Sequence, residues 1–134
     1  MQYTRSLLIF SLVLIWVILC AHVYALNHYL YWIYPWFDVL MHILGGTWVG
    51  VTYGALIMHR HTQTSLSFMS IYMRTLLAVL IIGALWEGME FFIDTFFNTR
   101  MFQLSPLDTL KDMISNGIGA TIASIIIFIT RRYA

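Results

Sequence analysis

Six acidic residues and His42 are the side chains that could carry chemistry in this chain of 134 residues. The acids are Asp38, Glu87, Glu90, Asp94, Asp108 and Asp112. Residues three, four or seven positions apart share one face of a helix. Asp38 therefore lies beside His42, the acids at 87, 90 and 94 share a second face, and those at 108 and 112 share a third with Asn116. Carboxylates together with an imidazole form the donor set of a divalent-cation site.

The predicted metal ligands are Asp38, His42, Glu90, Asp108 and Asp112. Oxygen ligands suit Mg²⁺, Mn²⁺ or Ca²⁺, and the imidazole would also allow Zn²⁺. Glu87 and Glu90 are the candidate catalytic acids, with Glu87 as the deeper group and a general base. Asp94, Asn116 and Lys111 are supporting polar groups. The Glu-x-x-Glu spacing differs from the Glu-x-x-His of di-iron bundles, which argues against a di-iron oxidase.

The composition sets the environment of these groups. Apolar residues make up 60% of the chain and charged residues 10%, and the mean hydropathy is +0.80. Soluble domains average about 45–50% apolar and about 25% charged residues, and a chain this short could not bury the excess. The same composition excludes a disordered chain, and the net charge of +1 with scattered basic residues excludes a nucleic-acid binder. The sequence therefore predicts an integral membrane protein.

Four segments are long and apolar enough to cross a bilayer, which takes about 20 residues. They cover residues 7–26, 36–58, 75–97 and 106–130. Because the loops are short, we expect residues 1–134 to form one all-α domain, a polytopic, four-helix antiparallel transmembrane bundle. Pro35 and Pro106 stand where two helices begin, and Ser105 is placed to cap the last one.

The polar groups fall at matching depths in this bundle. The pair at positions 38 and 42 and the pair at 108 and 112 each follow a proline, at an offset of 70 residues, which predicts two hairpins in parallel orientation. A helix rises about 1.5 Å per residue. From the expected span ends, His42, Glu90 and Asp112 share one level, and Glu87 and Asn116 lie about one turn deeper.

Charge at the helix ends predicts the orientation in the membrane. Five basic residues flank ends that share one side, namely Arg5, Arg60, Arg74, Arg131 and Arg132. Only Arg100 and Lys111 lie toward the other side. Basic residues favour the cytoplasmic face. We therefore expect both termini in the cytoplasm and the acids in the outer half of the membrane.

The energetic cost of the acids requires compensation. An acid at a span centre costs about 2.5–3.5 kcal/mol, so three or four cost on the order of 10 kcal/mol. A bound divalent cation would offset their charge. The alternative is a structural network, in which protonated acids pair with Lys111, Arg100, His42 and tyrosine hydroxyls and hold the helices together.

Glycines mark the faces on which helices approach closely. Gly46, Gly50 and Gly54 recur every four residues and share one face. Such a face packs against another helix of the bundle, and it could also serve a homo- or hetero-oligomer.

Several of these motifs occur together in known families. The acid–His start at Asp38 and His42 is followed by glycines, by WEGMEF at 86–91 and by LDTLKDM at 107–113 with NGIGA at 116–120. This set, which covers roughly residues 38–120, resembles the YjdF-type small bacterial membrane proteins and is more distantly similar to VanZ-like proteins. The resemblance implies a cell-envelope membrane protein, and its VanZ side implies a link to glycopeptide (teicoplanin) resistance. It implies no established reaction.

Three functions fit these observations. In the first, the cation engages a phosphate-bearing lipid or envelope precursor, and any reaction would be metal-assisted hydrolysis or transfer. In the second, the acids bind or transport a cation, either a metal ion or an amine head group. In the third, the chain is a non-catalytic accessory subunit whose acids form a polar core.

Overall fold

The computed structural model describes residues 2–60, 66–97 and 105–132. Within these ranges the chain forms only helices and short connections. The helices are α1 (Gln2–Asn27), α2 (Leu30–Ile33), α3 (Pro35–Arg60), α4 (Phe68–Phe97) and α5 (Pro106–Arg132). Four of them, α1, α3, α4 and α5, are long and apolar enough to cross a membrane. The predicted all-α, four-span architecture is therefore confirmed.

The helix starts follow local capping chemistry. α3 and α5 begin at Pro35 and Pro106, where proline lacks only an N–H that would have no helical partner. Ser105 caps α5, because its Oγ accepts a hydrogen bond from the Asp108 amide at 3.1 Å. α4 begins at Phe68 rather than near residue 75, after Ser67, whose Oγ accepts a hydrogen bond from the Ser70 amide at 3.2 Å. The early cap lengthens α4 to 30 residues.

Glycines allow α3 and α5 to pack backbone against backbone. A Cβ atom at Gly46 would lie 2.7 Å from the Asn116 carbonyl oxygen, and one at Gly119 would lie 2.5 Å from the Ile43 carbonyl oxygen. Gly50 and Gly54 also face α5, where they contact the side chains of Ala123 and Ile127. The predicted packing role of this face is confirmed. Because α5 covers it, this face is not open to a second copy.

Consecutive long helices run antiparallel, but the two that pack most intimately run parallel. Gly46 lies against Asn116 and Gly54 against Ile127, so α3 and α5 advance in the same direction. Between α3 and α4 the order reverses, since His42 lies near Glu87 and Gly50 near Thr75. The parallel pairing agrees with the offset of 70 residues between the two acid pairs.

The bundle is packed at one end and open at the other. A buried apolar cluster joins all four long helices; it contains Leu7, Val51, Ala55, Ile57, Ile71, Ala123 and Ile127. A hydrogen bond of 2.7 Å between Ser11 Oγ and Thr52 Oγ1 links α1 to α3 near this end. Both α1 and α4 pack on α3, yet among the described residues no Cα of α1 lies within 8 Å of a Cα of α4. The two outer helices are therefore separated.

The outside of the bundle suits lipid rather than water. Large apolar side chains are exposed on every long helix, for example Leu12 (62%) on α1, Leu85 (66%) on α4 and Ile114 (58%) on α5. A soluble monomer rarely exposes large continuous apolar patches. This surface agrees with the four candidate spans.

Candidate functional site

His42 lies at the centre of the polar groups at the open end. Its Nε2 atom is 3.6 Å from Asp38 Oδ1, 3.7 Å from Asp112 Oδ1 and 4.0 Å from Glu87 Oε1. These three oxygens come from α3, α5 and α4, respectively. All three distances exceed those of ordinary hydrogen bonds. The imidazole is thus surrounded by carboxylates without a short bond to any of these three oxygens.

Two of these carboxylate oxygens are buried without a hydrogen-bond partner. They are Asp112 Oδ1 and Glu87 Oε1, and their side chains are 3% and 10% exposed. Buried polar atoms are nearly always hydrogen-bonded, and an unsatisfied one costs about 1–3 kcal/mol, more when it is charged. A cation between them and His42 would supply the missing interaction.

Three of the five predicted ligands meet closely enough to share one ion. Asp38, His42 and Asp112 each offer a ligand atom, and these atoms lie within 4.8 Å of one another. Two ligands that are each about 2.1 Å from an ion in octahedral or tetrahedral geometry lie about 3.0–3.4 Å apart. The observed separations of 3.6 and 3.7 Å from His42 Nε2 need only a small contraction to reach that spacing. We call Asp38, His42 and Asp112 the metal triad.

Lys111 supplies a fixed positive charge at the edge of the triad. Its Nζ atom donates a hydrogen bond of 2.5 Å to Asp108 Oδ1 and lies 3.3 Å from Asp38 Oδ2 and 3.8 Å from Asp112 Oδ1. Its side chain is 38% exposed, whereas that of Asp112 is 3% exposed. Lys111 therefore neutralises the exposed side of the cluster. Asp108 is engaged by Lys111 and is not part of the triad.

On α4, Glu87 lies at the same depth in the bundle as His42, where the sequence predicted Glu90. Glu87 Oε1 is the α4 carboxylate oxygen within 4.0 Å of His42, and Glu87 also interacts with the side chain of Thr109 on α5. Glu90 instead accepts a hydrogen bond of 2.8 Å from Trp86 Nε1. The depth estimate was wrong by about one turn here. It assumed that all spans end at the same membrane level, whereas the contacts of α4 with its neighbours, such as Glu87 with His42 and Gly83 with Asn116, set its level in the bundle.

Of the three predicted supporting residues, Asn116 and Lys111 lie at the site and Asp94 lies outside it. Asn116 is buried one turn below Asp112 and interacts with His42 through its side chain. Lys111 and Asn116 both line a cavity that adjoins the metal triad. Asp94 lies a turn beyond Glu90 on α4, is half-buried, and does not line that cavity.

A cavity of about 440 Å³ joins the metal triad to an apolar region between α1 and α4. Its polar end contains Asp38, His42, Glu90, Asp108, Lys111, Asp112 and Asn116. Its apolar part contains side chains of α1, α3 and α4, among them Ile18, Val49 and Ile82. The volume lies within the range of about 300–1,000 Å³ that is typical of small-molecule sites.

The sequence left open whether α1 contributes to the site, and in the structure α1 and α2 complete this cavity. His22 on α1 shares a hydrogen bond of 2.7 Å between its Nδ1 and the Tyr31 hydroxyl on α2, and both residues line the cavity. Burial, and then the charges of Asp38 and Glu90, raise the pKa of Tyr31 well above its usual value of 10, so the hydroxyl stays protonated. The signal available in the sequence was a polar His22 on an otherwise apolar helix face.

A family model described as a predicted membrane protein (DUF2238) matches residues 2–133 of the chain. No curated protein and no solved structure matches the chain. The match confirms the membrane class that the composition predicted. Neither YjdF-type nor VanZ-like proteins appear in that description, so both resemblances stay predictions.

Proposed function

The chain belongs to the DUF2238 family of predicted membrane proteins, and from this premise we propose that it binds one divalent cation at the metal triad. The bound cation would hold a phosphate-bearing lipid or envelope precursor in the adjoining cavity. The observation that carries this proposal is the set of three carboxylate oxygens, from three helices, within 3.6–4.0 Å of His42 Nε2. Two of these oxygens are buried without a hydrogen bond.

The charges of the site favour a cation. Five carboxyl groups cluster at this end of the bundle, four lining the cavity and Glu87 beside His42. In the described part of the chain, Lys111 is the one lysine or arginine that contacts them within 4.0 Å. An anionic ligand alone would be repelled by this excess of negative charge. A divalent cation reverses the local field, and a phosphate oxygen can then join the protein ligands.

The same site could support a reaction on the bound phosphate. A metal ion acts as a Lewis acid toward a phosphoryl group and orients it. Glu87 is the candidate general base, since it is buried and its Oε1 lies 4.0 Å from His42 Nε2. We propose metal-assisted hydrolysis or transfer as the class of that reaction.

A second candidate function is the binding of an amine head group. Tyr31, Trp48 and Trp86 line the same cavity as the acids. Aromatic faces attract ammonium groups by cation–π interaction, and carboxylates complete such a site. An amine would bind here without a metal ion, which makes the two functions distinguishable.

Binding of Mn²⁺ to the purified full chain tests the proposal. We expect one ion per chain by calorimetry and by electron paramagnetic resonance, with affinity at least about tenfold weaker in His42→Gln, since even second-shell changes cost about 10–100-fold. His28→Gln is the matched control, because His28 is exposed, follows the end of α1, and its side chain contacts Tyr24, away from the metal triad. The variant His28→Gln should bind like the wild type.

Two results would contradict the metal proposal. One is a wild-type protein that binds neither Mn²⁺ nor Zn²⁺, and the other is equal affinity in His42→Gln and wild type. Binding of tetramethylammonium in the presence of a chelator, with no metal bound, would favour the amine function instead.

The described basic residues support the predicted orientation. Arg5, Arg74 and Arg131 lie at the packed end of the bundle, opposite the acids, and Arg131 Nη1 donates to the Leu66 carbonyl at 2.8 Å. We propose that this end faces the cytoplasm of a bacterial inner membrane. The metal triad then opens toward the outer leaflet.

A further inference from the structure

We infer that the site takes its ligand from within the bilayer, through a slot between α1 and α4 that holds one hydrocarbon chain of a phosphate-bearing lipid. The metal triad would hold the head group of the same molecule. This inference rests on the proposed function and adds the chain-binding surface and the route of entry.

The slot is formed by one face each of α1, α3 and α4, and α1 and α4 do not close over it. Its floor is one face of α3, with Met41, Gly45, Trp48 and Val49. Its walls are Ile15, Ile18 and Leu19 from α1 and Val79 and Ile82 from α4. Over the residues the structure describes, α1 and α4 have no Cα atoms within 8 Å of each other. The slot is therefore open at its side, toward the lipid that surrounds the bundle.

Gly45 gives the floor its depth. Nothing lies within 4 Å of the place where its Cβ atom would be, whereas the neighbouring Gly46 is pressed against the Asn116 carbonyl at 2.7 Å. Gly45 therefore makes room for the cavity and not for another helix of this chain. A side chain at this position would project into the slot, one turn from His42.

The dimensions favour a single chain of a lipid over a helix of a second copy. A helix with side chains is about 10 Å across, so a volume of 440 Å³ holds only about one turn of it. The apolar slot and the polar end are parts of one continuous cavity. One amphiphile can therefore place its chain between α1 and α4 and its phosphate near Lys111 and the metal triad.

The test uses the full chain in phosphatidylcholine vesicles with Mn²⁺ and, as the probe, a phosphatidic acid whose acyl chain carries a photoreactive diazirine. We expect labelling of the slot residues Ile18 and Ile82 to exceed labelling of the lipid-facing residues by at least about fivefold, which would mean that the probe prefers the slot to the surrounding bilayer. Leu12 and Leu85 are the lipid-facing residues for this comparison. Unlabelled phosphatidic acid should compete, and glycerol phosphate, which lacks the chain, should not.

Two glycine variants provide a matched comparison. Gly45→Leu fills the slot and should reduce slot labelling by at least about fivefold. Gly88→Leu is the control, because Gly88 also has nothing within 4 Å but lies outside the cavity. If Gly45→Leu does not fold, the ratio of slot labelling to lipid-facing labelling in the wild type still tests the inference.

The outcomes separate this inference from the proposed function. Equal labelling of slot and lipid-facing residues, or full competition by glycerol phosphate, would overturn the slot while Mn²⁺ binding stands. Cross-links between two copies through Ile18 or Ile82 would show that the slot is an interface, and would also overturn it. Loss of Mn²⁺ binding in the wild type would instead contradict the proposed function.

Discussion

His42 Nε2 on α3 lies 3.7 Å from Asp112 Oδ1 on α5, across the pair of helices that glycines bring into backbone contact. The two residues are 70 positions apart, as are Gly46 and Asn116 one turn below them. The donor atoms of the metal triad therefore lie on two helices whose backbones are in direct contact. A site on such elements is positioned before its ligand binds.

Asp112→Asn should change stability in opposite directions with and without metal. In a chelator, the variant should be more stable by about 1–3 kcal/mol, because it removes one acid from a crowded group of carboxyls, in which Asp112 Oδ1 is buried without a hydrogen bond. With Mn²⁺ at about 100 times its dissociation constant, the wild type should gain about 2.7 kcal/mol and the variant almost nothing. Thermal unfolding in detergent measures both effects.

A purely structural polar network predicts a different result for the same variant. Asp112→Asn would then lower the unfolding midpoint equally in chelator and in Mn²⁺. That outcome would favour the accessory-subunit function over the metal site.

Metal affinity should fall as the pH falls. Protons compete with the cation for the imidazole nitrogen and for each carboxylate oxygen, so binding releases protons. The histidine ligand contributes at most about a tenfold loss between pH 7.5 and 5.5, and competition for the carboxylate oxygens adds to it. Calorimetry in two buffers of different ionisation enthalpy would detect the released protons. An affinity that is constant over this range would contradict a site built from carboxylate and imidazole ligands.

Gly46→Ala should weaken both the fold and the site. The new Cβ atom would lie 2.7 Å from the Asn116 carbonyl oxygen, which is backbone and cannot rotate away. We expect a loss of about 1–3 kcal/mol in stability, and weaker Mn²⁺ binding as α3 moves away from α5.

Gly88→Ala is the control for that substitution. Nothing lies within 4 Å of a Cβ atom there, so the change should stabilise α4 by about 0.5–1 kcal/mol through helix propensity. Equal effects of the two variants on unfolding and on Mn²⁺ affinity would contradict the close α3–α5 contact.

The orientation predicts the behaviour of reporters fused after α5. A carboxy-terminal green fluorescent protein should be fluorescent and a carboxy-terminal alkaline phosphatase inactive, because both termini are expected in the cytoplasm. An added cysteine at Leu107, which is 78% exposed at the acid end, should react with an impermeant maleimide applied to whole cells. The reverse pattern would place the metal triad on the cytoplasmic side.

Most of the fold could be predicted because its causes are local. A helix in lipid satisfies its own backbone hydrogen bonds, so apolar length alone identifies the spans. The starts at Pro35 and Pro106 and the cap at Ser105 depend on neighbouring residues in the chain, and all three predictions are confirmed. The start of α4 at Phe68 was missed, because Arg74 interrupts the apolar pattern from which span length was estimated.

The grouping of the acids on helix faces followed from helical spacing, and so did the position of Asp38 beside His42, whereas the pairing of Asp108 with Lys111 was not predicted. The tertiary structure decided which faces meet and at what depth. It places Glu87 instead of Glu90 beside His42 and leaves α1 apart from α4. These relations depend on how the helices pack and on where glycines let backbones touch, and no spacing within one helix encodes the level of its neighbour.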